Sequence, residues 1–409
     1  MNKKAKRVLA ALLSVMTASS MATIAMTSAS AAEMTYSQVS NAGESKKSDT
    51  SGGFSNTAGT TSTDFPMKTG DISMSKEEVA KAKKIKTVKD YYNTVDGAAS
   101  TTKTAKQEIA TNSTSTSSVD NSKSKYFPPI GDQNPLNSCG CWANIYYQLS
   151  YEENRQLNRT ATYENSLSPT WVYPYVNGGS DTGSTASGVL QIAEKFGAPT
   201  IKTAPVTTDF AKWNTDKSAF EEAQKYRVSD YYIFYTGSGN TPVTSPDDSD
   251  IAAIKTSLKN GDVLTFSTHI AGWNYEQIKE NSEVPENSKY AGEYVASYAK
   301  YIDGAHRMTI VGYNDDIWVD INHDGKVQEG EKGAFKIANS WGVNYTQLDK
   351  QGILKDNEGF IWLSYDMINT VSSVDNAYLD HYRMDLGAQY LFNDVVKINV
   401  MPVECVFKH

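Results

Sequence analysis

The feature that most constrains this chain is an abrupt change of character at Tyr126. Residues 100–124 hold 13 Ser or Thr among 25, with Lys and Asn between them. Such a stretch cannot bury enough apolar surface to offset the entropy of ordering its backbone. From Tyr126 onward Tyr, Trp, Phe, Ile and Val rise, and turn signals separate short apolar runs. The core is therefore expected within 126–400, with a short tail at 401–409. Residues 32–125 read as a disordered linker or a propeptide with one short helix. Ser75 and Glu78 form a capping box at the start of that helix, and Val79, Ala82, Ile85, Val88 and Tyr92 follow at three- or four-residue steps. The sequence leaves open whether this region inhibits the domain or tethers it.

The first residues constrain location. Lys3, Lys4, Lys6 and Arg7 precede an apolar run at 8–16 that is too short to span a bilayer. Ala29-Ser30-Ala31 is the small-residue pattern a signal peptidase cuts after. Residues 1–31 thus read as a secretory signal, and no later stretch reaches membrane length. The chain carries 39 Lys+Arg against 47 Asp+Glu, a net charge of −8. Losing the four cations of the signal takes the balance from −8 to −12. An acidic chain has no basic excess to neutralise phosphates, so a general nucleic-acid binder is excluded. Three cysteines allow one disulfide at most, so a packed core rather than covalent staples must hold the fold.

Helical patterns are expected at 139–153, 188–196, 216–226 and 249–258, and strands at 263–266, 308–312, 334–338, 360–364 and 390–400. Helices dominate the first half and strands the second, the pattern of an α+β protein with two segregated lobes.

Few residues can carry nucleophilic chemistry. Cys139 closes the turn-rich stretch Gly131-Asp132-Gln133-Asn134-Pro135-Leu136-Asn137-Ser138 and opens a helix, where the helix dipole favours a thiolate. Gln133, six residues upstream, carries an amide donor suited to an oxyanion. A buried, inert cysteine at a helix start is the competing reading. His306 heads the strand MTIVGY. Asn339 ends another strand, and its carbonyl can fix the tautomer of an imidazole. Trp341, two residues on, can shield that bond from water.

Taken together, Gln133, Cys139, Gly304-Ala305-His306 and Asn339-Ser340-Trp341-Gly342 resemble a papain-like cysteine peptidase. The likeness runs from about Tyr126 to about Asp366. It is nearest the secreted bacterial branch, through Phe127 to Gln133, Ser138-Cys139, Trp142-Ala143, Tyr146-Tyr147-Gln148 and Tyr151-Glu152. The resemblance implies a two-lobe fold with a helical N-terminal lobe and an antiparallel β-barrel-like C-terminal lobe. It implies Cys139 as nucleophile, His306 as base and acid, Asn339 as orienter, and Gln133 with the Cys139 N–H as oxyanion hole. It also implies protein or peptide substrates, a monomer, and a product that is secreted or associated with a bacterial cell surface. One departure is that the papain motif places Trp directly after the nucleophile, which Cys141-Trp142-Ala143 fits. The spacing from Gln133 and the ungapped match favour Cys139. Gly183-Ser184 lies where the family carries a glycine pair that bonds substrate backbone. The alternatives are a catalytically inactive binding or adhesion protein on the same fold, or another papain-fold chemistry such as an amidase or acyltransferase.

A second motif stands apart. Residues 320–331 match D-x-[DN]-x-[DN]-G-x5-E, an EF-hand-like calcium loop. Asp320, Asn322 and Asp324 offer alternate oxygens, Gly325 permits the turn, Lys326 offers its carbonyl, Gln328 a side chain or water, and Glu331 both carboxylate oxygens. Hard oxygen ligands in this number suit Ca2+. The competing reading is an acidic surface turn. Strand-like runs flank the loop, which places it at a hairpin tip between His306 and Asn339. His269, His323, His381, His409 and Cys405 are assigned no role.

Overall fold

The computed structural model describes residues 67–81, 83–84, 116–235, 248–299, 303–343, 358–368, 374 and 393–402. The signal segment, His381, Cys405 and His409 lie outside them. In chain order the elements are β1 (Asp71–Ile72), α1 (Lys76–Lys81), β2 (Lys83–Lys84), β3 (Ser118–Asp120), α2 (Cys139–Cys141), α3 (Ser150–Gln156), α4 (Pro169–Val172), β4 (Ser184–Thr185), α5 (Ala186–Lys195), α6 (Lys217–Ala223) and β5 (Val228–Tyr235). There follow α7 (Asp248–Lys259), β6 (Leu264–His269), β7 (Trp273–Gln277), β8 (Tyr294–Ala299), β9 (Ala305–Trp318), β10 (Lys332–Ala338), β11 (Phe360–Ser364), α8 (Tyr365–Ile368) and β12 (Asn393–Val400).

The fold is α+β. Among the described residues, the large sheet runs β2-β5-β12-β6-β9-β10-β11-β8-β7, with β3 added against β9. This path has two edges and is not a closed barrel. The centre is β9, antiparallel to β6 on one side and β10 on the other. Its first nine residues after Ala305 are buried, apolar Met308, Ile310, Val311 and Tyr313 together with polar His306, Arg307, Thr309 and Asn314. Gly312 is required there because a Cβ would stand 2.3 Å from the carbonyl oxygen of Val119 in β3.

Two apolar cores flank the site. One packs Ile254 and Leu258 of α7 on Leu264, Phe266, Met308, Ile310, Phe335 and Ile337 of the sheet. The other gathers Ile145, Leu149, Trp171, Val189 and Leu190 with Val228, Ile233, Val396 and Ile398. The helix-rich half thus takes two strands, β5 and β12, paired from Val395↔Tyr235 to Val400↔Val228. Segregation of helices and strands along the chain is therefore incomplete.

The long helix opening at Cys139 is not uniform. Between α2 and α3, Trp142–Leu149 winds as a π-helix whose residues are all buried. Its two buried side-chain amides donate, Asn144 Nδ2 to the Gly140 carbonyl and Gln148 Nε2 to the Val263 and Val396 carbonyls, and a π segment widens the helix locally. The helix at 249–258 is found at Asp248–Lys259, and the one at 216–226 shortens to Lys217–Ala223, with Asp216 accepting from the Ser218 N–H. The expected helix from Ser75 is shorter than its periodicity suggested. It ends at Lys81, and Lys83–Lys84 pair in parallel with Tyr232 and Ile233. Ile85, Val88 and Tyr92 lie outside the described residues. The sheet also begins before Tyr126, since Ser118–Asp120 pair with Gly312–Asn314.

Candidate active site

Hydrogen bonds join three of the expected residues, Gln133 through Ser340 to Asn339 and His306, and His306 makes none with Cys139. α2 starts at Cys139, β9 opens with His306 at its second position, β10 ends at Ala338 just before Asn339, and the 131–138 loop carries Gln133. The loop is tied to the end of β10 through the backbone, Gln133 N–H to Ser340 C=O at 2.8 Å and Gly342 N–H to Gly131 C=O at 3.0 Å. The hydroxyl of Tyr147 accepts from Gly131 N–H at 2.9 Å and donates to the Asn339 carbonyl at 2.7 Å.

His306 is fully buried. Its Nε2 lies 2.8 Å from Asn339 Oδ1, which fixes the N–H on Nε2 and leaves Nδ1 as the acceptor. Nδ1 has no hydrogen-bond partner among the described residues. Trp341 stacks on the imidazole with ring centroids 4.5 Å apart and planes at 22°. Burial lowers the His306 pKa to about 4, against a smaller opposing effect of the Asn339 bond. The imidazole is therefore neutral at pH 7.

The two cysteines of α2 face different surroundings. Cys139 is fully buried at the start of α2. Burial pushes its thiol well up, the Asp71 carboxylate adds to this, and the Arg307 N–H and guanidinium oppose it. Cys141 belongs to the apolar core of the helical half, and burial pushes its thiol up against one hydrogen bond from Ser184.

Gln133 is oriented by Ser340, whose hydroxyl donates to Oε1 at 2.7 Å. This sets Nε2 toward two carbonyls, Leu136 at 3.0 Å and Thr69 at 3.1 Å. Thr69 belongs to a stretch for which the sequence suggested no ordered place. Residues 67–74 cross this site, with Asp71–Ile72 in a strand. Trp341 Nε1 donates to the Lys68 carbonyl at 2.8 Å, Gly70 N–H to the Ala305 carbonyl at 3.1 Å, and Ser184 N–H to the Gly70 carbonyl at 3.0 Å. Asp71 and Ile72 pair in parallel with Ser184 and Thr185. The Gly183-Ser184 turn thus bonds a peptide backbone, one belonging to this same chain. The approach demands glycine: Gly183 has φ 106°, and a Cβ on it would stand 2.1 Å from the Gly70 carbonyl oxygen. Beyond β1, Glu78 accepts from the hydroxyls of Ser187 and Thr185 and completes the capping box with Ser75.

Sequence reasoning missed this strand and its anchor, a buried ion pair. Arg307 Nε donates to Asp71 Oδ1 at 2.8 Å, and the Ser267 hydroxyl donates to Asp71 Oδ2. A readable signal existed, since Arg307 is a lone charge inside the apolar run that follows His306. His269 sits at the end of β6 paired with Ala305, and His323 is in the loop after β9.

The 320–331 loop joins β9 and β10. Asp320 Oδ1 and Asn322 Oδ1 both accept from the Asp324 N–H, at 3.0 and 3.1 Å, and Asp320 Oδ2 accepts from Gly325 N–H at 2.9 Å. Gly325 has φ 72°, the turn expected of it. Asp324 faces Lys326 N–H and Gln328 Nε2, at 2.8 and 3.0 Å. Glu331 is buried and accepts from Trp318 Nε1 at 2.7 Å and Ile321 N–H at 2.8 Å. The oxygens of Asp320 and Asn322 at this end of the loop serve backbone amides. Glu331 serves protein donors. Among the described residues, no group of three or more His, Cys, Asp or Glu could hold a metal ion. No helix among them is long and apolar enough to cross a membrane.

No family model matches the chain. It is 24% identical over 249 residues to serine-aspartate repeat-containing protein F of Staphylococcus epidermidis, a stretch covering 51% of this chain and 15% of that protein. The chain thus spans about a seventh of that relative's length. Among solved structures it resembles xylellain, a cysteine protease from Xylella fastidiosa, at TM-score 0.45 and 17% identity over 70% of this chain and 87% of that one. It also resembles the bromelain protease of Ananas comosus, at 0.41 and 13% over 69% and 99%, and proCathepsin B of Trypanosoma congolense, at 0.44 and 12% over 82% and 87%. Likenesses of this depth do not decide the chemistry, which rests on the site's own geometry.

Proposed function

We propose that the chain is a secreted, papain-like cysteine peptidase, held latent by its own residues 67–74. The observation that carries this reading is a peptide carbonyl, that of Thr69, resting on the amide of Gln133, whose Oε1 accepts from Ser340, the neighbour of the His306-bonded Asn339. In the proposed reaction the Cys139 sulfur attacks the scissile carbonyl carbon while His306 Nδ1 takes the thiol proton. Asn339 keeps the other ring nitrogen protonated. The oxyanion is met by Gln133 Nε2 and the Cys139 N–H, the first amide of a helix, which has no partner within the helix. His306 then protonates the leaving amine. Water, deprotonated by His306, hydrolyses the thioester.

With residues 67–74 in place the thiol and imidazole are both buried and both neutral, a resting state. Departure of the strand admits solvent and substrate, and the thiolate–imidazolium pair becomes accessible. The calcium expectation remains part of the proposal. Asp320, Asn322 and Asp324 would hold the ion with the Lys326 carbonyl, Gln328 and a shared Glu331 carboxylate, and it would stiffen the connection between His306 and Asn339.

The test is incubation with casein and with an epoxide thiol trap. Cys139→Ala should abolish both hydrolysis and labelling, and Cys141→Ala should retain both. Labelling retained in Cys139→Ala and lost in Cys141→Ala would reverse the assignment. Absence of both activities after removal of residues 67–74 would favour a catalytically inactive binding protein.

A further inference from the structure

The guanidinium of Arg307 is fully buried and follows His306 directly in β9. Across the ladder its register partner is Ser267 of β6. Together they close on one carboxylate, with Arg307 Nε at 2.8 Å from Asp71 Oδ1 and the Ser267 hydroxyl on Oδ2. Asp71 comes two residues after Thr69, whose carbonyl rests on Gln133. The same strand therefore puts a backbone carbonyl on the candidate oxyanion donor and an acidic side chain on a buried cation.

A buried charge is costly unless it is paired. Under the peptidase reading, on which this inference rests, residues 67–74 must leave before any substrate enters, and Asp71 leaves with them. Arg307 and Ser267 stay, fixed in paired strands β9 and β6, where they bond Asp71. A substrate side chain that brings a carboxylate gives Arg307 Nε and the Ser267 hydroxyl the acceptor that Asp71 gives them, whereas an apolar side chain of similar size offers these two donors no acceptor. Sites built to bond a polar group reject analogues that lack it far more strongly than apolar pockets reject one another.

We propose that Arg307 and Ser267 form a specificity pocket for an acidic side chain, so that the substrates are peptides carrying Asp close to the scissile bond. Asp71 occupies that pocket as a built-in mimic of the substrate side chain.

The test uses the full chain carrying Asp71→Ala, which vacates the pocket and loosens the strand. Internally quenched peptides differ only by Asp, Asn or Leu at each of the positions flanking the scissile bond. At one position kcat/KM should favour Asp over Asn by about tenfold and over Leu by about a hundredfold or more. Adding Arg307→Gln should bring that preference to within about twofold while preferences elsewhere persist. Since Arg307 is buried and its replacement can fail to fold, Ser267→Ala is the second variant, expected to reduce the Asp preference severalfold. No acidic preference in the Asp71→Ala chain, or one unchanged by both further substitutions, overturns the proposal.

A readout without turnover separates this from the peptidase reading. A labelled peptide copying residues 67–74, with Asp71 kept or changed by Asp71→Asn, is titrated into the Asp71→Ala chain by fluorescence anisotropy. The unchanged peptide should bind about tenfold tighter. If it does and nothing is hydrolysed, the pocket stands and the peptidase reading falls. If peptides are cleaved with no preference for Asp, the pocket falls and the peptidase reading stands.

Discussion

The carbonyl oxygen of Thr69 accepts a hydrogen bond of 3.1 Å from the side-chain amide of Gln133. The strand making this contact passes Gly70 at φ 105°, where a Cβ would stand 2.2 Å from the Asn137 carbonyl oxygen. Gly70→Val therefore cannot seat as the native strand does. The left-handed conformation alone costs a residue with a side chain about 1–2 kcal/mol, and the overlap adds to that. The expected result is a chain whose Cys139 is labelled by a thiol trap about tenfold faster or more than in the parent, with its circular dichroism retained. Equal labelling rates would mean that residues 67–74 do not guard the thiol.

Acid should weaken the folded state through His306. Burial lowers its pKa from 6.5 to about 4, so between those values the unfolded chain binds the proton and the folded chain does not. Stability from the neutral ring is fully present above pH 6.5 and falls as pH drops toward 4, by about 1.4 kcal/mol per unit. Denaturant unfolding at pH 7, 5.5 and 4 should show this loss in the parent and a smaller one in His306→Gln. Parallel pH profiles for the two proteins would contradict the buried, neutral imidazole.

The contrast between what could be read and what could not follows from the range of the forces involved. The capping box at Ser75 and Glu78, the helix start at Cys139 and the strand Phe360–Ser364 are local patterns, and the structure has all three. The meeting of Gln133, His306 and Asn339 was legible because the kinds and order of the residues carry the chemistry. The Lys68-Thr69-Gly70-Asp71 stretch was not, because it reads as a polar turn. Its extended form is imposed from outside by the Ala305 carbonyl, the Ser184 amide and the Arg307 guanidinium. β12 is expected within 390–400 and is found at Asn393–Val400; β5 was obscure for a related reason, since it pairs with β12 across more than 150 residues.

Tyr147 ties the loop before Cys139 to the residue bonded to His306. Tyr147→Phe leaves the Gly131 N–H and the Asn339 carbonyl without this partner in a buried setting. Each loss is worth about 1–3 kcal/mol. The melting temperature should fall by several degrees, while Phe127, stacked on the same ring at 5.4 Å, keeps its packing. An unchanged melting temperature would show that water replaces the hydroxyl at no cost.

Glu153 works against His306 in the pH dependence. It is fully buried in α3, and burial raises its pKa from 4.5 to about 8. A carboxyl raised in this way favours folding in its neutral form, and that contribution drains away as pH rises from 4.5 through 8. Glu153→Gln keeps a neutral group of similar shape and removes the titration. The variant should gain on the parent as pH rises from 5 to 8, by up to about 1.4 kcal/mol per unit. A constant difference between the two across that range would contradict a Glu153 carboxyl raised by burial.

The loop at 320–331 yields the last expectation. If Asp320, Asn322 and Asp324 bind a cation, occupancy stabilises the folded chain by an amount that grows with free ion, about 2.7 kcal/mol at a hundred times the dissociation constant. Adding millimolar Ca2+ to EDTA-treated protein should therefore raise the melting temperature, and Mg2+ should do so less, because its preference for strict octahedral geometry suits such loops poorly. Asp320→Ala should remove the effect of the ion and also cost some stability without it, since Asp320 accepts from the Asp324 and Gly325 amides. Because the loop links the strand that starts beside His306 to the strand that ends at Asn339, the ion should shift peptide hydrolysis and melting together. A calcium-independent melting temperature would leave the loop as a turn held by its own hydrogen bonds, with Glu331 serving Trp318, Ile321 and Asn322.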